Sequence, residues 1–284
     1  MYVSSACVVH EKIKDSIEEL GLNGFKDIEL SGGTKYYAGY EDDLIRLKEK
    51  YHLNYLVHNY FPPPKEEFIL NLASLDDGIY QKSLDHCQKA IALSKRLGST
   101  KFGFHAGFFL DFSIKDIGKN IKPTRLYDRE KATKRFCEGF EFLKRSCQGV
   151  DLYLENNVLS SSNAETFQGQ TPLMLVDYQG YIELKKLIDF KLLLDVAHLN
   201  VSAHSLGIEF EEQLDKMIQV CDYVHLSDND GQYDQNLCFK EDSNILNALE
   251  KQDIKLKTVS METYGPMSDI KLSYSTVKKA LHLN

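Results

Sequence analysis

The chain has 284 residues, with 34 basic against 42 acidic side chains and a formal net charge of -8. With 43% hydrophobic and 11% aromatic residues it is too apolar for a disordered chain and long enough to bury a large core. The acidic balance argues against a protein that holds nucleic acid by nonspecific charge, and no stretch approaches the roughly 18 to 20 consecutive apolar residues that span a bilayer.

Residues 2–9 read as a first strand rather than a signal peptide, because they lack a basic flank and a long apolar region. A helix follows over 11–20 and ends at Gly21, then a strand over 25–30 and a charged, periodic helix over 41–50. Residues 53–57 form a third strand and lead to a helix over 76–97, with Gly98 placed to cap its C-terminus. A strand over 101–104 precedes a helix over 128–147, which closes near Gly149. A strand over 151–154 precedes a helix expected to open at Thr171-Pro172, a capping residue followed by proline at the first helical position. Strands over 191–194, 222–224 and 256–261 precede helices near 209–220, 242–250 and 268–281.

Eight strand-helix units without a flexible linker imply a parallel sheet, and at this length an α/β fold with one (β/α)8 TIM barrel over residues 1–284. A doubly wound sheet is the alternative, but it lacks a Gly-rich phosphate loop, and Ser31-Gly32-Gly33 is only a turn signal. The connections are lopsided. Helix-to-strand turns are short (21–24, 98–100, 148–150, 251–254), whereas strand-to-helix loops are long (59–75, 106–127, 156–170, 226–241). Barrel enzymes build their sites from the long set, at the C-terminal face. The six cysteines contain no CxxC pair, which suits free thiols in a cytoplasmic protein; Cys87 and Cys147 fall on apolar helical stripes.

Six of the eight strands end in a potential metal ligand: His58, His105, Glu155, Asp195, His225 and Glu262. A barrel points its strand ends at one spot, and so many imidazoles and carboxylates there repel one another or go unsatisfied unless a cation organises them. Mixed nitrogen and oxygen donors suit Zn²⁺, Mn²⁺ or Co²⁺, in one or two ions, rather than Ca²⁺. The competing explanation is that the carboxylates cap helix N-termini and the histidines close loops. His198, just past the sixth strand, and Asp234, in the polar loop after the seventh, are further ligand or substrate candidates. His10 is a candidate for the pocket wall, Asp228 and Asp230 read as loop caps, and His52, His86, His204 and His282 have no supporting pattern.

At these residues, and in the motifs LENN, LLDVAH, VHLSD and ME, the chain resembles the xylose isomerase-like barrel superfamily along essentially its whole length. Its members include sugar and sugar-phosphate isomerases and epimerases, and the endonuclease IV branch of abasic-site repair enzymes. The resemblance implies that Glu155, Asp195, His225 and Glu262 hold a central divalent metal. In ketose 3-epimerase-like members the two glutamates also transfer protons, one on each face of the substrate. His58 and His105 correspond to additional ligands of the multi-zinc endonuclease branch, with Glu155 bridging, and His198 and Asp234 belong to its third zinc. The chain departs there: the endonucleases carry Asp-x-His, and this sequence has Asp234-Gln235-Asn236, whose carboxamide is a poor zinc ligand.

The leading expectation is a metal-dependent isomerase or epimerase of a sugar or sugar phosphate, working through an enediolate with Glu155 and Glu262 as the proton-transfer groups. His198 would donate a hydrogen bond to substrate, with Tyr60, Asn157 and Asn236 as further contacts, and the proline-rich loop from Asn59 to Lys65 as a stiff wall. The alternative is a zinc-dependent endonuclease IV-like phosphoesterase, and a metal-dependent lyase shares the same logic. Lys35, Lys65, Lys119 and Arg125 lie in strand-to-helix loops but form no compact anion motif. The expected partner is a small sugar, not nucleic acid or membrane, and the oligomeric state stays open, a homo-oligomer included.

Overall fold

A computed structural model describes residues 1–116 and 120–283; Lys119 therefore lies outside the described residues. Eight strands close into a barrel in sequence order: β1 (Tyr2–Ser4), β2 (Asp27–Leu30), β3 (Asn54–His58), β4 (Lys101–His105), β5 (Asp151–Glu155), β6 (Lys191–Asp195), β7 (Cys221–Leu226) and β8 (Thr258–Met261). Every neighbouring pair is parallel, and β8 closes on β1 through Tyr2 opposite Ser260 and Val3 opposite Met261. The architecture is the (β/α)8 barrel expected from the alternation of elements.

Period-two alternation sorts each strand between two environments. Outward residues such as Ile28, Leu30, Val57, Phe104, Leu154 and Leu194 pack against the helices as the main core. Inward, Leu56, Tyr153, Leu193 and Tyr223 fill the barrel, and Tyr2 packs against them. One step further along the same inner face come His58, Glu155, Asp195 and His225. The apolar plug is thus the floor on which the strand-end residues stand.

Ten α-helices occur among the described residues. The first four are α1 (Ile13–Leu22), α2 (Tyr40–Tyr51), α3 (Asp77–Leu97) and α4 (Arg129–Ser146), close to their expected places. Gly98 adopts φ 72 and accepts the left-handed cap that ends α3. The remainder are α5 (Ser161–Thr166), α6 (Tyr178–Lys185), α7 (Val196–Leu206), α8 (Phe210–Ile218), α9 (Asn244–Leu249) and α10 (Met267–Ala280).

Three expectations change. The first strand stops at Ser4, whose hydroxyl accepts from Ala6 N (3.2 Å) and caps a 3-10 turn over Ser5–Cys7. No helix opens at Thr171-Pro172: that segment runs extended, Pro172 O accepts from Phe109 N (2.8 Å) and Leu173 bridges Phe108. The helix begins at Tyr178 instead, capped by Asp177 Oδ1 on Gly180 N (2.7 Å). Helices α5 and α7 were not anticipated. Helix α7 is buried along most of its length, so it carries no polar stripe to betray a helical period.

Two long loops are tied by one buried side chain. Asn71 donates to Phe108 O and Leu110 O (both 3.1 Å) and accepts from Ala73 N and Phe108 N (both 3.0 Å), joining the loops after β3 and β4. All six cysteines are free, and no helix among the described residues is long and apolar enough to cross a membrane.

Candidate metal centre

Glu155, at the end of β5, is the hub. His58 Nε2 donates to its Oε2 at 2.7 Å, and His105 Nδ1 lies 3.2 Å from the same oxygen. Its other oxygen faces His225 Nδ1 at 3.4 Å and His198 Nδ1 at 3.9 Å. Glu262, just past β8, places Oε2 3.7 Å from His225 Nδ1. His198 sits in the first turn of α7, where Nδ1 donates to Asn156 O (2.9 Å) and Nε2 faces Asp234 Oδ2 (3.4 Å) and Asp195 Oδ2 (3.8 Å).

Asp195 has two duties. Its Oδ1 accepts from His198 N at 2.8 Å and caps α7, so the helix-capping explanation holds for one oxygen, while Oδ2 remains turned into the site. Asn156 steadies that strand end, accepting from Asp195 N (2.7 Å) and donating to Asp195 O (2.9 Å). Gly103 on β4 is what lets His58 lie across the barrel. A Cβ there would stand 2.8 Å from Leu193 Cδ2 and 3.0 Å from His58 Cδ2.

Burial and charge push these groups apart. Burial drives His105 down to about 4. Burial also raises Asp195 to about 6 and Glu262 to about 7, against the pull of nearby imidazoles. For Glu155, burial is outweighed by His105, His58 and His225, which hold it well below the ordinary carboxylate range. Burial disfavours the charged forms of His198 and His225 too, but Asp195 and Asp234 beside the first, and Glu29 and Glu155 beside the second, raise both well above the usual imidazole value.

The donor set fits a divalent cation. His225 Nδ1, His105 Nδ1 and Asp234 Oδ1 are buried without a hydrogen bond of acceptable geometry, a costly arrangement unless a cation takes their lone pairs. Among the described residues three groups have ligand atoms all within 4.8 Å of one another: His58, Glu155 and His225; His105, Glu155 and His198; and Glu29, His225 and Glu262. Mixed nitrogen and oxygen sets of this kind suit Zn²⁺, Mn²⁺ or Co²⁺.

A cavity of about 160 Å³ opens beside this cluster, lined by His105, His198 and Asp234 together with Tyr60, Asn157, Phe108 and Tyr233. Of the expected substrate contacts, Tyr60 and Asn157 reach the wall, but both are partly committed. Tyr60 Oη accepts from Leu70 N (3.1 Å), and Asn157 Nδ2 donates to Ala106 O (3.0 Å) and Met174 O (2.8 Å). Asn236 is not in that wall: its backbone oxygen accepts from Tyr264 N (2.7 Å), and its amide lies 3.5 Å from Asp234 Oδ2.

His10 is a correction. Because β1 ends early, His10 lines a separate recess and pairs with Glu19 at 2.5 Å. Asp228 and Asp230 accept from Asn229 N (3.0 Å) and Gln232 N (2.8 Å), as loop caps do. Lys35 pairs with Glu11 on the surface at 2.5 Å, and Lys65 and Arg125 are exposed. Sequence reading missed Glu29, a fully buried carboxylate on β2 whose Oε1 lies 2.9 Å from His225 Nε2. Charged residues elsewhere in the strands, such as Asp151, Lys191 and Asp222, are exposed, so a carboxylate in β2 carries no local sign of being buried.

The chain matches the family described as xylose isomerase-like TIM barrel over residues 15–271. No curated protein matches it in sequence. Among solved structures it is similar to a D-tagatose 3-epimerase-like protein, at 20% identity and a TM-score of 0.75 over 99% of this chain and 96% of that one. It is also similar to D-psicose 3-epimerase from Clostridium cellulolyticum (16% identity, 99% and 94% covered, TM-score 0.61). Endonuclease IV from Thermus thermophilus is a third (15% identity, 99% and 98% covered, TM-score 0.61).

Proposed function

From its place in the xylose isomerase-like TIM barrel family, to which this chain belongs, and from the chemistry of its strand ends, we propose a metal-dependent sugar epimerase or isomerase. The observation that carries the reading is the convergence of two glutamates on His225 Nδ1, with Glu155 Oε1 at 3.4 Å and Glu262 Oε2 at 3.7 Å. Glu155 is held ionised by three imidazoles, whereas burial holds Glu262 near 7. Two carboxyl groups whose environments push their pKa values apart are suited to proton removal and proton return.

A divalent cation held by Glu155, Asp195, His225 and Glu262 would supply Lewis-acid polarisation of neighbouring carbonyl and hydroxyl oxygens. One glutamate takes the proton from the hydroxyl-bearing carbon next to that carbonyl, and the electron pair moves toward the carbonyl oxygen to give an enediolate. The other glutamate returns a proton to the opposite face and inverts the centre. His198 can hold a substrate oxygen through Nε2, since Nδ1 is fixed on Asn156 O. Tyr60, Phe108 and Tyr233 offer apolar surface to the carbon face of a sugar and limit water. Asn157 serves better as a clamp between the β4 loop and the Met174 segment than as a free donor.

One observation favours a second reading, a zinc-dependent phosphoesterase of the endonuclease IV kind. His105 and His198 also converge on Glu155, so a second ion held there would share that carboxylate with the first. Against it stand Asn236, which faces Asp234 with a carboxamide, and the acidic net charge of -8. The test is hydrogen exchange in D2O with metal-loaded protein and the free ketohexoses D-tagatose, D-psicose and D-fructose, followed by NMR. Glu155→Gln and Glu262→Gln should fold but fail to interconvert the epimers, and retained epimerisation in either rejects the two-glutamate scheme. Nicking of abasic-site DNA, with about three zincs per chain, would transfer the assignment to the hydrolase.

A further inference from the structure

Glu29 stands one level below the six strand-end residues, opposite Ser4 and Leu56 in the strand register, and is wholly shielded from solvent. A carboxylate so placed is costly unless each oxygen is satisfied. Both are. Oε1 and Oε2 receive His225 Nε2 at 2.9 and 3.1 Å, and Ser260 Oγ donates to Oε1 at 3.1 Å. Ser260 is there because the β7–β8 register sets it directly beside His225. The opposite ring nitrogen, His225 Nδ1, is buried without a hydrogen bond and looks toward Glu155 Oε1 and Glu262 Oε2, at 3.4 and 3.7 Å.

We infer that Glu29 is a positioning residue of the metal centre: held by Ser260, its carboxylate fixes the His225 ring with the proton on Nε2, so that Nδ1 presents its lone pair toward Glu155 and Glu262. The inference rests on the reading of His225 as a metal ligand. The chemistry is general, since a ligating imidazole needs a defined tautomer and an acceptor for its remaining N–H, and a carboxylate acceptor also makes the ring a stronger donor. Glu29 is not a ligand in this arrangement. A cation on Nδ1 lies on the far side of the ring from the nitrogen that Glu29 holds.

The experiment uses the full chain with Zn²⁺ as the probe. Zinc affinity is measured by chelator competition in the wild type, Glu29→Gln and Ser260→Ala, with far-UV circular dichroism and cooperative unfolding as controls for fold. Long-range ¹H–¹⁵N correlation identifies which His225 nitrogen carries the proton in the zinc-loaded wild type. The expected results are a protonated Nε2, a loss of about 10-fold or more in zinc affinity for Glu29→Gln, and a smaller loss for Ser260→Ala. Wild-type affinity in a folded Glu29→Gln protein overturns the positioning role alone. So does a zinc-loaded wild type with the proton on Nδ1 and the metal on Nε2, which would make Glu29 a direct ligand. A wild type that binds no zinc overturns both this role and the metal-dependent reading. Should Glu29→Gln not fold, Ser260→Ala and the wild-type spectrum still decide: unchanged affinity together with a protonated Nδ1 rejects the role.

Discussion

Gly103→Ala is the substitution for which the structure supplies its own magnitude. The added methyl would meet Leu193 Cδ2 at 2.8 Å and His58 Cδ2 at 3.0 Å, both well inside ordinary carbon contact, and both neighbours are buried. Leu193 belongs to the apolar plug and His58 is pinned to Glu155 at 2.7 Å, so yielding on either side disturbs packing or site. Overpacking of this kind costs about 1 to 3 kcal/mol, offset by roughly 0.5 to 1 kcal/mol because alanine orders more cheaply than glycine in a strand. The net loss, about 0 to 2.5 kcal/mol, corresponds to a fall in Tm of up to roughly 4 °C, taking an unfolding entropy of about 2.1 cal/mol/K per residue. Calorimetry of the metal-free protein measures it, and chelator competition reads the accompanying loss of metal affinity as His58 is pushed off line. Leu193→Val should recover part of the stability in the alanine background, as expected for groups in contact. A variant with unchanged Tm and unchanged metal affinity would refute the close approach of β4, His58 and Leu193.

Metal uptake should strengthen as pH rises through about 6 to 7 and beyond, because Asp195 near 6, Glu262 near 7 and His225, held well above the usual imidazole value, must release protons to become ligands; calorimetry in buffers of different ionisation enthalpy should detect that release, and pH-independent affinity would contradict it. Burial, with Lys89 nearby, pushes His86 down to about 4 against rings of Phe68 and Tyr60. Below about 6.5 the unfolded imidazole is protonated while the folded one stays neutral, so the stability His86 contributes is complete above that pH. It fades toward pH 4 by up to about 3 kcal/mol. Urea unfolding of His86→Leu should show a correspondingly flatter pH dependence than wild type, and parallel curves would reject the assignment. Asn71→Ala should cost about 3 kcal/mol or more in urea unfolding, since it strands buried groups of Phe108, Ala73 and Leu110; a loss below about 1 kcal/mol would mean that the two loops hold without it. His10→Ala should leave metal affinity unchanged in the same chelator competition, because that ring lies in its own recess with Glu19.

The strand ends were readable because a barrel turns sequence position into spatial position. A residue where an apolar run stops lies at the mouth, whichever strand carries it. That is why His58, His105, Glu155, Asp195, His225 and Glu262 could be named together; each lies within 4 Å of another of them or of His198. The helix expected at Thr171-Pro172 had a sound local signal, yet pairing of Leu173 with Phe108 claimed the same residues as extended chain. Helix α7 escaped notice for the opposite reason: buried on nearly every side, it has no polar face. Glu29 looked like the polar half of an alternating strand, and nothing local says that its face is the inside of a barrel.

Alternation of apolar strands with amphipathic helices, short turns on one side and long loops on the other, was enough to determine the barrel and the end of it at which the potential ligands gather. These properties are periodic and local, so the sequence expresses them directly. Tertiary structure alone decided how the polar groups share one another. It made Glu155 the hub between four imidazoles, turned one oxygen of Asp195 to a helix cap and the other to the site, and took His10 out of the centre. It also set Glu29 beneath His225, residues 196 positions apart in sequence. Closure of the sheet brings such groups within about 3 or 4 Å of one another, and at that range burial and charge fix which of them holds a proton.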